Sequence, residues 1–364
     1  MKCRLSDICC FRKEKVEVEN LNTQNYISTE NMLPNKRGIT EASSLPTVLL
    51  TQKYKKDDVL VSNIRPYFKK IWQAKYDGGC SNDVLVFVPN SNIDKDFLYY
   101  VLADDDFFTY SMATSKGTKM PRGDKVSIMQ YEVPLFDLHT QKKIASILKS
   151  LDEKIELNNK INNNLEQQVS ILYQSWFEDF EITNGVCPEN WSYQELSTIA
   201  DIASGKRPPV KSDTCNEKTP ISIVGAASVM GFTSETNHTD KILVTGRVGT
   251  HGVIQRFNTP CWTSDNTLVI TSPYYEFTNQ ILHRIDYASM NRGSTQPLIT
   301  QGDMKKVAIL VPDEDILTKF EKFAGSLMAK WEANNNENVK LASLRDTLLP
   351  KLMSGELDVS DIDL

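Results

Sequence analysis

Residues 150–168 read SLDEKIELNNKINNNLEQQ, a helical pattern in which asparagines interrupt the face that should be apolar. A related stretch, LMAKWEANNNENVKLASL, occupies residues 327–344. Around both stretches, apolar residues recur at alternating steps of three and four, which is typical of the seam between paired helices. The predicted seam positions are Leu148, Leu151, Ile155, Asn158, Leu165, Val169 and Leu172 in the first helix and Leu327, Trp331, Asn334, Asn338, Leu341 and Leu348 in the second.

The asparagines on this seam predict how the two helices pair. A polar residue at a seam position lowers stability but fixes the register and the partner. In an antiparallel pair the midpoints of the helices meet, so Asn158 could form hydrogen bonds with Asn334 and Asn338. The alternative is a solvent-exposed helix face or a local break, which suits the neighbouring asparagines better.

Both helical patterns have ordinary start and stop signals. The first is predicted to begin with Thr140 as its N-cap and to run to Glu178, a length of about 58 Å at 1.5 Å per residue. The second begins after Pro312 and stops at Gly355. The order along the chain is therefore globular unit, helix, globular unit, helix.

The globular units resemble each other, with a period of about 180 residues, and such self-similarity indicates an internal repeat. The repeated segments are DDVLVSNIRP (57–66) with DKILVTGRVG (240–249), SNDVLVFVP (81–89) with SDNTLVITSP (264–273), SKGTKMP (115–121) with NRGSTQP (291–297), and YEVPLFD (131–137) with ILVPDED (309–315). Each unit is thus expected to have the same fold.

Short β-branched runs and longer apolar helical patterns alternate inside each unit. VLVSNI, DVLVFVP, ILVTGRV and TLVITSP predict strands, and KDFLYYVLADDDFFTYS and EFTNQILHRIDYASM predict helices. The fold class is therefore α+β, with largely antiparallel or mixed sheets, two tandem units and two long helices that form an antiparallel coiled coil with a pseudo-two-fold repeat. The predicted boundaries are 1–139, 140–182, 183–312, 313–355 and a tail at 356–364.

Composition is that of an ordinary globular protein, with 364 residues, 40% hydrophobic and 24% charged. No apolar run approaches the roughly 20 residues that cross a membrane, and the first residues, MKCRLSDICC, lack the apolar run that is expected of a signal peptide. Seven cysteines without a CxxC pair favour reduced thiols in the cytoplasm over disulfides or metal ligation. The net charge of −6 argues against a general nucleic-acid binder, but local basic segments can still bind phosphate.

Basic residues interleaved with aromatic or hydroxyl side chains mark candidate DNA contacts in both units. Arg can bind guanine in a bidentate manner and Gln can bind adenine, although an aromatic core beneath a solvated charged face is the alternative. The candidates in the first unit are Lys53, Lys55, Lys56, Arg65, Tyr67, Lys69, Lys70, Lys116, Thr118, Lys119 and Arg122. Those in the second unit are Lys206, Arg207, Arg247, His251, Arg292, Ser294, Thr295 and Gln296.

No catalytic motif is evident in the chain. SPYY at 272–275 lacks the second proline of an amino-methyltransferase loop, and no GxGxxG segment follows a predicted strand. PDED at 312–315 lacks the following acidic and lysine residues of a nuclease, and no HExxH or Cys/His cluster is present. We therefore expect no catalytic centre, cofactor site or metal site.

The arrangement resembles the specificity subunit of type I restriction–modification systems. QKKIASILKSLDEKIELNNKINNNLEQQVSILYQSWF (141–177) resembles the central spacer helix of that family. GVCPENWSYQELSTIADIASGKRP (185–208) resembles the entry into its second target-recognition domain, and KLASLRDTLLPKLMSGELDV (340–359) resembles its closing helix. The resemblance covers essentially the whole chain.

This resemblance implies a role in recognising double-stranded DNA. Two target-recognition domains would each read one half of an asymmetric, bipartite site, and the paired helices would set the spacing between the halves. The helices would also dock methyltransferase subunits, two in number, which bind S-adenosylmethionine, and restriction/translocase subunits would join for cleavage. The alternatives are a specificity subunit of a methylation-only or fused restriction system, and a non-catalytic coiled-coil scaffold without a DNA role.

Overall fold

The computed structural model describes residues 2–290, 292, 298–360 and 362, and it divides into two compact units. The first unit comprises residues 1–158 and 336–364, and the second comprises residues 159–335. Each unit therefore contains part of both long helices. Within the described residues, no helix is both long enough and apolar enough to span a membrane.

The first unit is built from ten strands and four short helices among its described residues. The strands are β1 (Lys2–Arg4), β2 (Cys9–Phe11), β3 (Lys15–Glu17), β4 (Tyr26–Ile27), β5 (Leu50–Tyr54), β6 (Val59–Ser62), β7 (Ile71–Gln73), β8 (Gly78–Cys80), β9 (Val84–Pro89) and β10 (Glu132–Pro134). The helices are α1 (Leu5–Ile8), α2 (Lys95–Ala103), α3 (Asp105–Ala113) and α4 (Lys125–Ile128). The long helix α5 (Leu138–Phe177) begins in this unit.

The second unit repeats much of this order. Its strands are β11 (Ser192–Glu195), β12 (Asp201–Ser204), β13 (Ile221–Val224), β14 (Val229–Thr233), β15 (Ile242–Gly246), β16 (Gln255–Phe257), β17 (Cys261–Thr263), β18 (Thr267–Thr271) and β19 (Ala308–Val311). Its helices are α6 (Tyr275–Arg284), α7 (Gln301–Lys305) and the first part of α8 (Glu314–Ser354).

The main sheets of the two units have the same topology. The first is ordered β2-β9-β6-β7 and the second β12-β18-β15-β16, and every pair is antiparallel. The paired segments β6 and β15 come from the repeated runs 57–66 and 240–249, and β9 and β18 come from 81–89 and 264–273. The predicted α+β class and the internal repeat are therefore confirmed.

Smaller sheets complete each unit. The sheet β3-β5-β8-β4 contains the parallel pair β4–β8, and the sheet β14-β13-β17 contains the parallel pair β13–β17. Two-stranded antiparallel ladders join β1 to β10 and β11 to β19. The last strand of each unit thus leads directly into a long helix, and both strands overlap the fourth pair of repeated segments.

The central strands are apolar on both faces because each separates two cores. Val59 and Val61 of β6 pack into the cluster that contains α2 and α3, whereas Leu60 packs into a second cluster with Tyr54. In β15, Leu243 likewise faces one core and Val244 the other. A strand buried on both sides shows no alternation of apolar and polar residues, which explains the uniformly hydrophobic runs.

The N-cap of α5 differs from the sequence prediction. Asp137, not Thr140, caps the helix: its Oδ1 accepts the backbone N–H groups of His139 at 2.9 Å and Thr140 at 3.0 Å. The Thr140 hydroxyl donates to Asp137 Oδ2 at 2.8 Å. A carboxylate satisfies the free N–H groups at a helix start, and these hydrogen bonds lower the pKa of Asp137.

The far end of α5 lies within one residue of the expected one. The helix stops at Phe177, and the sequence pattern predicted that it would run to Glu178. Phe180 and Asn184 adopt left-handed backbone conformations with φ of 55° and 59°, and the N–H of Gly185 bonds back to the Phe180 carbonyl at 2.8 Å. Left-handed residues after the last turn are a common way to end a helix.

Candidate nucleic-acid interface

Three loops of the first unit meet where β6 ends, and backbone hydrogen bonds hold them together. Asn63 N–H donates to the Asp83 carbonyl at 2.8 Å, and Gly123 N–H donates to the Asn63 carbonyl at 3.1 Å. Arg65 N–H donates to the Pro121 carbonyl at 2.8 Å. We call these three loops, residues 63–70, 81–83 and 115–123, the first junction.

The second unit builds the same arrangement where β15 ends. Arg247 N–H donates to the Asn266 carbonyl at 2.8 Å, and Ile299 N–H donates to the Arg247 carbonyl at 3.0 Å. Val248 forms a bridge with Leu298, as Ile64 does with Arg122. We call residues 247–252, 264–266, 292 and 298–299 the second junction, and its backbone bonds match those of the first.

The outermost loop of each junction is closed in the same way. Lys116 and Arg122 exchange two backbone hydrogen bonds of 2.9 Å, and Arg292 N–H donates to the Leu298 carbonyl at 3.1 Å. The first basic residue of each loop also forms an ion pair with an aspartate at the start of a short helix: Lys116 with Asp124 at 2.9 Å, and Arg292 with Asp303.

The hydrogen bonds and ion pairs of these two aspartates lower their pKa values. Hydrogen bonds from Lys116 and from Ser127 lower the pKa of Asp124 to about 2. The hydroxyl of Thr300, above all, lowers the pKa of Asp303. Both carboxylates therefore stay ionised at neutral pH and hold the basic side chains of the loops in place.

Gly123 lies close to neighbouring side chains of the first junction. A Cβ atom at Gly123 would lie 2.8 Å from the side-chain oxygen of Asn63 and 2.8 Å from the side chain of Ile128. A larger residue at this position would therefore require these side chains to shift.

Charged and aromatic side chains surround the first junction. Tyr67 and Phe68 are 49% and 36% exposed, and their ring centroids lie 4.7 Å apart. Lys69 pairs with Asp105 at 2.7 Å. Lys119 is exposed and, among the described residues, has no ion-pair partner. Thr118, next to it on the outer loop, is also exposed.

Two further candidates lie near the same loops. Arg122 pairs with Asp83 of the neighbouring loop at 3.1 Å. Lys70 donates to the Thr29 carbonyl at 2.6 Å, and burial lowers the pKa of its ammonium group. Most of the basic side chains at the first junction are therefore bound by carboxylate or carbonyl oxygens of the first unit.

The three lysines before β6 lie apart from the first junction. Lys53 and Lys55 approach Glu14 at 3.8 and 3.6 Å, and Lys56 is exposed. Because β6 separates these lysines from Asn63, they lie about 13 Å away along the strand. The structure thus places Lys53, Lys55 and Lys56 apart from the basic residues of the first junction.

In the second unit, Lys206 is bound through its backbone to β17, next to the second junction. Its N–H donates to the Thr263 carbonyl at 2.9 Å, and its carbonyl accepts the indole N–H of Trp262 at 2.7 Å. The side chains of Lys206 and Arg207 are exposed. Ser294, Thr295 and Gln296 lie outside the described residues.

His251 is held by the loop that carries it. Its Nδ1 lies 3.1 Å from the Gly246 carbonyl, so Nδ1 carries the donated proton and Nε2 is left as an acceptor. Nε2 is buried and has no partner among the described residues.

The partly buried arginines fall into two groups. Arg12, Arg256 and Arg345 form ion pairs with carboxylates at 2.5 to 2.7 Å. Arg65 and Arg247 have no ion pair or side-chain hydrogen bond among the described residues, and the Nε of each is buried without a partner. These two arginines belong to the first and second junctions, respectively.

Asparagines join the two long helices in both units. In the first unit, Asn158 donates to Asn338 at 2.9 Å and to Glu337 at 2.8 Å. In the second unit, Asn334 donates to Asn162 at 2.8 Å, and Asn162 donates to Asn335 at 2.9 Å. The sequence reasoning missed Asn162, although the run of three asparagines at 162–164 marked its neighbourhood.

The remaining helix contacts have the same antiparallel sense within each unit. In the first unit, Arg345 pairs with Asp152 at 2.7 Å, and Leu148 shares a core with Leu349. In the second unit, the rings of Tyr173 and Phe320 lie 6.1 Å apart. The other predicted seam residues are buried or half-buried: Leu151, Ile155, Leu165, Val169, Leu172, Leu327, Trp331, Leu341 and Leu348.

Comparison with known proteins gives these junctions a context. The family model described as the type I restriction modification DNA specificity domain matches residues 1–167 and 188–337. The chain belongs to this family. Its members are the DNA-recognition subunits of type I restriction–modification systems, and they are not the catalytic subunits.

Individual relatives agree with the family match. The chain is 24% identical to the type I restriction enzyme HindI specificity subunit of Haemophilus influenzae, over 91% of this chain and 94% of that protein. It is 25% identical to the MjaIX specificity subunit of Methanocaldococcus jannaschii, over 76% and 72%. The crystal structure of the type I restriction–modification S subunit from M. genitalium has the same fold, with a TM-score of 0.60, 18% identity and coverage of 99% and 96%.

Proposed function

We propose that this specificity subunit reads an asymmetric, bipartite DNA sequence, with one half-site for each unit. The observation that carries the proposal is the junction that occurs twice on the same backbone frame with different side chains. Equal frames favour the same docking on DNA, and unequal side chains favour different base sequences.

The two long helices set the distance between the half-sites in this proposal. Helix α5 has 40 residues and is about 60 Å long at 1.5 Å per residue. That length suits half-site centres one to two DNA turns apart, since one turn is about 34–36 Å. The antiparallel contacts within each unit support a stiff spacer.

The helices also dock two methyltransferase subunits, which bind S-adenosylmethionine, and restriction/translocase subunits join for cleavage. The assembly works in the cytoplasm, where the host DNA is found. A methylation-only or fused system would use the same chain without a separate translocase. A scaffold without a DNA role would leave both junctions unexplained.

The test is the methylation pattern of host DNA, read by single-molecule sequencing with the gene intact and deleted. We expect one split, non-palindromic motif to lose methylation on deletion. Replacing residues 1–139 with the corresponding segment of another specificity subunit should change one half of that motif only. Two results together would instead favour the scaffold: methylation that does not change on deletion of the gene, and an assembled complex that binds no duplex DNA.

A further inference from the structure

Arg65 and Arg247 stand out from the other partly buried arginines because no carboxylate neutralises them. A guanidinium that is partly withdrawn from water usually gains an ion pair or hydrogen bonds to repay its lost hydration. Arg12, Arg256 and Arg345 do so. Arg65 and Arg247 do not, among the described residues, so their hydrogen-bond donors remain available to a ligand.

Their placement is related but not equivalent, because the backbone bonds of Arg247 match those of Asn63, and Arg65 lies two residues further along its loop. Each arginine belongs to the loop that follows the central strand of its main sheet, β6 or β15, and each takes part in a junction through its backbone N–H. Only the Nε of each is among the fully shielded polar atoms without a partner. The two terminal nitrogens of each arginine are therefore not fully shielded from solvent.

The backbone at Arg65 adds to this picture. Its φ of 50° is a left-handed conformation, which is uncommon for a residue with a side chain and costs free energy. The hydrogen bond of its N–H to the Pro121 carbonyl, at 2.8 Å, helps to hold that conformation, although the following Pro66 favours extended backbone at this position. The backbone from which the side chain projects is thus held by the loop.

We propose that Arg65 and Arg247 each read a guanine in the major groove, one in each half of the recognised sequence. The proposal rests on the proposed function, that the two junctions face DNA. A guanidinium edge with two free donors matches the O6 and N7 acceptors of guanine, and this pairing is the commonest specific contact of arginine with DNA.

The exposed basic side chains near the junctions have a different role in this proposal. The side chains of Lys119, Lys206 and Arg207 are exposed, which suits contacts to phosphates that carry no sequence information. The half-buried guanidinium groups of Arg65 and Arg247 instead suit a contact that depends on orientation. The two classes predict different results on mutation.

The experiment uses the complex of the full chain with its methyltransferase subunits and a randomised duplex DNA library. The wild-type complex selects its motif from the library, and binding is then measured on duplexes with each base pair of the motif changed in turn. We expect Arg65→Ala to lose discrimination at one G·C pair of one half-site, by about five- to 150-fold. Arg247→Ala should do the same at one G·C pair of the other half-site.

Controls separate a base contact from a loss of charge or of folding. Arg207→Ala removes an exposed arginine of the second unit and should leave every base preference unchanged. Arg65→Gln and Arg247→Gln keep a long side chain and replace the alanine variants if those do not fold, which thermal unfolding of the complex will show.

Two results would overturn the assignment. One is equal weakening on all sequences, which identifies phosphate contacts; the other is unchanged discrimination at every position in both variants. In either case a wild-type complex that still selects a split motif leaves the proposed function intact. A wild-type complex that selects no motif at all contradicts the proposed function itself.

Discussion

At the scale of residues, the structure distinguishes side chains that serve the fold from those that are free to bind. Lys53 and Lys69 resemble each other in sequence, but one lies near Glu14 and the other pairs with Asp105 at 2.7 Å. Lys119 has neither kind of neighbour among the described residues. Basic character alone therefore does not identify a DNA contact, and the absence of an internal partner is the better guide.

Lys119 offers a test of this distinction. In Lys119→Ala, we expect binding of the assembled complex to weaken equally on all sequences, because a phosphate contact carries no base preference. The slope of log K against log salt should fall in magnitude by about 1, as one counterion-releasing contact is lost. Measurement is by DNA binding at several salt concentrations.

The control for this variant is Lys75→Ala. Lys75 is also exposed and lies in the first unit, but its ammonium pairs with Glu156 at 2.6 Å. Its removal should leave the salt slope unchanged. Equal slopes for wild type and Lys119→Ala would contradict the assignment of Lys119.

At the scale of elements, polar contacts fix the long helices to each other and to the sheets. Glu321 on α8 accepts the backbone N–H groups of Phe277 at 2.7 Å and Glu276 at 3.1 Å. It thereby caps the start of α6 from a different helix. Glu276 in turn pairs with Arg256 through bonds of 2.8 and 2.6 Å.

This contact predicts a pH dependence of stability. Burial, above all, raises the pKa of Glu321 to about 7, from an ordinary value of 4.5. The folded state then holds a proton that the unfolded state has released, so the stability of the second unit falls as pH rises from about 4.5 to 7. The loss is on the order of 1–3 kcal/mol.

Glu321→Gln should remove this decline, because the amide does not titrate. Thermal unfolding of the chain between pH 5 and 8 measures it, with Glu314→Gln, exposed at the start of the same helix, as the control. The same fall in Tm with pH in wild type and in Glu321→Gln would rule out Glu321 as its source.

The buried asparagine pair of the second unit predicts a second effect at this scale. Asn162→Ala and Asn334→Ala should each destabilise the chain by about 1–3 kcal/mol, because each leaves the buried amide of the other residue without its partner. Replacing both residues with alanine should cost less than the sum of the two single changes, since neither amide then leaves the other unpaired. Chemical denaturation of the two single variants and the double variant measures the coupling.

Asn163→Ala is the matched control for that cycle, because Asn163 is exposed on the same turn of α5. Its effect should stay within about 0.5 kcal/mol. A double variant as unstable as the sum of the single variants would show that the two amides do not interact.

At the scale of the whole molecule, an acidic chain with a net charge of −6 must bind a polyanion through a few local features. Long-range attraction does not help it, so contacts at the junctions and the partner subunits supply the affinity. In the proposed function, the helices set the spacing of the two half-sites.

Lengthening both helices tests that dependence. Inserting one seven-residue helical repeat at the middle of α5 and another at the facing point of α8 adds about 10 Å. We expect the gap between the half-sites to grow by about three base pairs, at 3.4 Å each, with both half-sequences unchanged. Sequencing of methylated DNA from cells that carry the longer chain reads the gap directly, and an unchanged gap would show that the helices do not set it.

The sequence predicted the elements better than the contacts between them. The runs around Val61 and Val244 identified the central strands because both faces of those strands are buried. The missing partners of Arg65 and Arg247 could not be predicted, since the junctions depend on bonds between loops about 60 residues apart. The sequence did not identify Asp137 as the N-cap, because Asp137 and Thr140 are both residue types that suit a helix start. Only the folded backbone shows which of them accepts the free N–H groups.

The junctions are held by main-chain atoms, and this has a consequence for the history of such proteins. Hydrogen bonds between N–H and carbonyl groups, such as that of Asn63 with Asp83, do not depend on which side chain each residue bears. If the junctions face DNA as proposed, substitutions in these loops, except at close approaches such as Gly123, would change the recognised sequence without unfolding the unit. A host cell would in this way acquire a new methylation signature through a few codon changes.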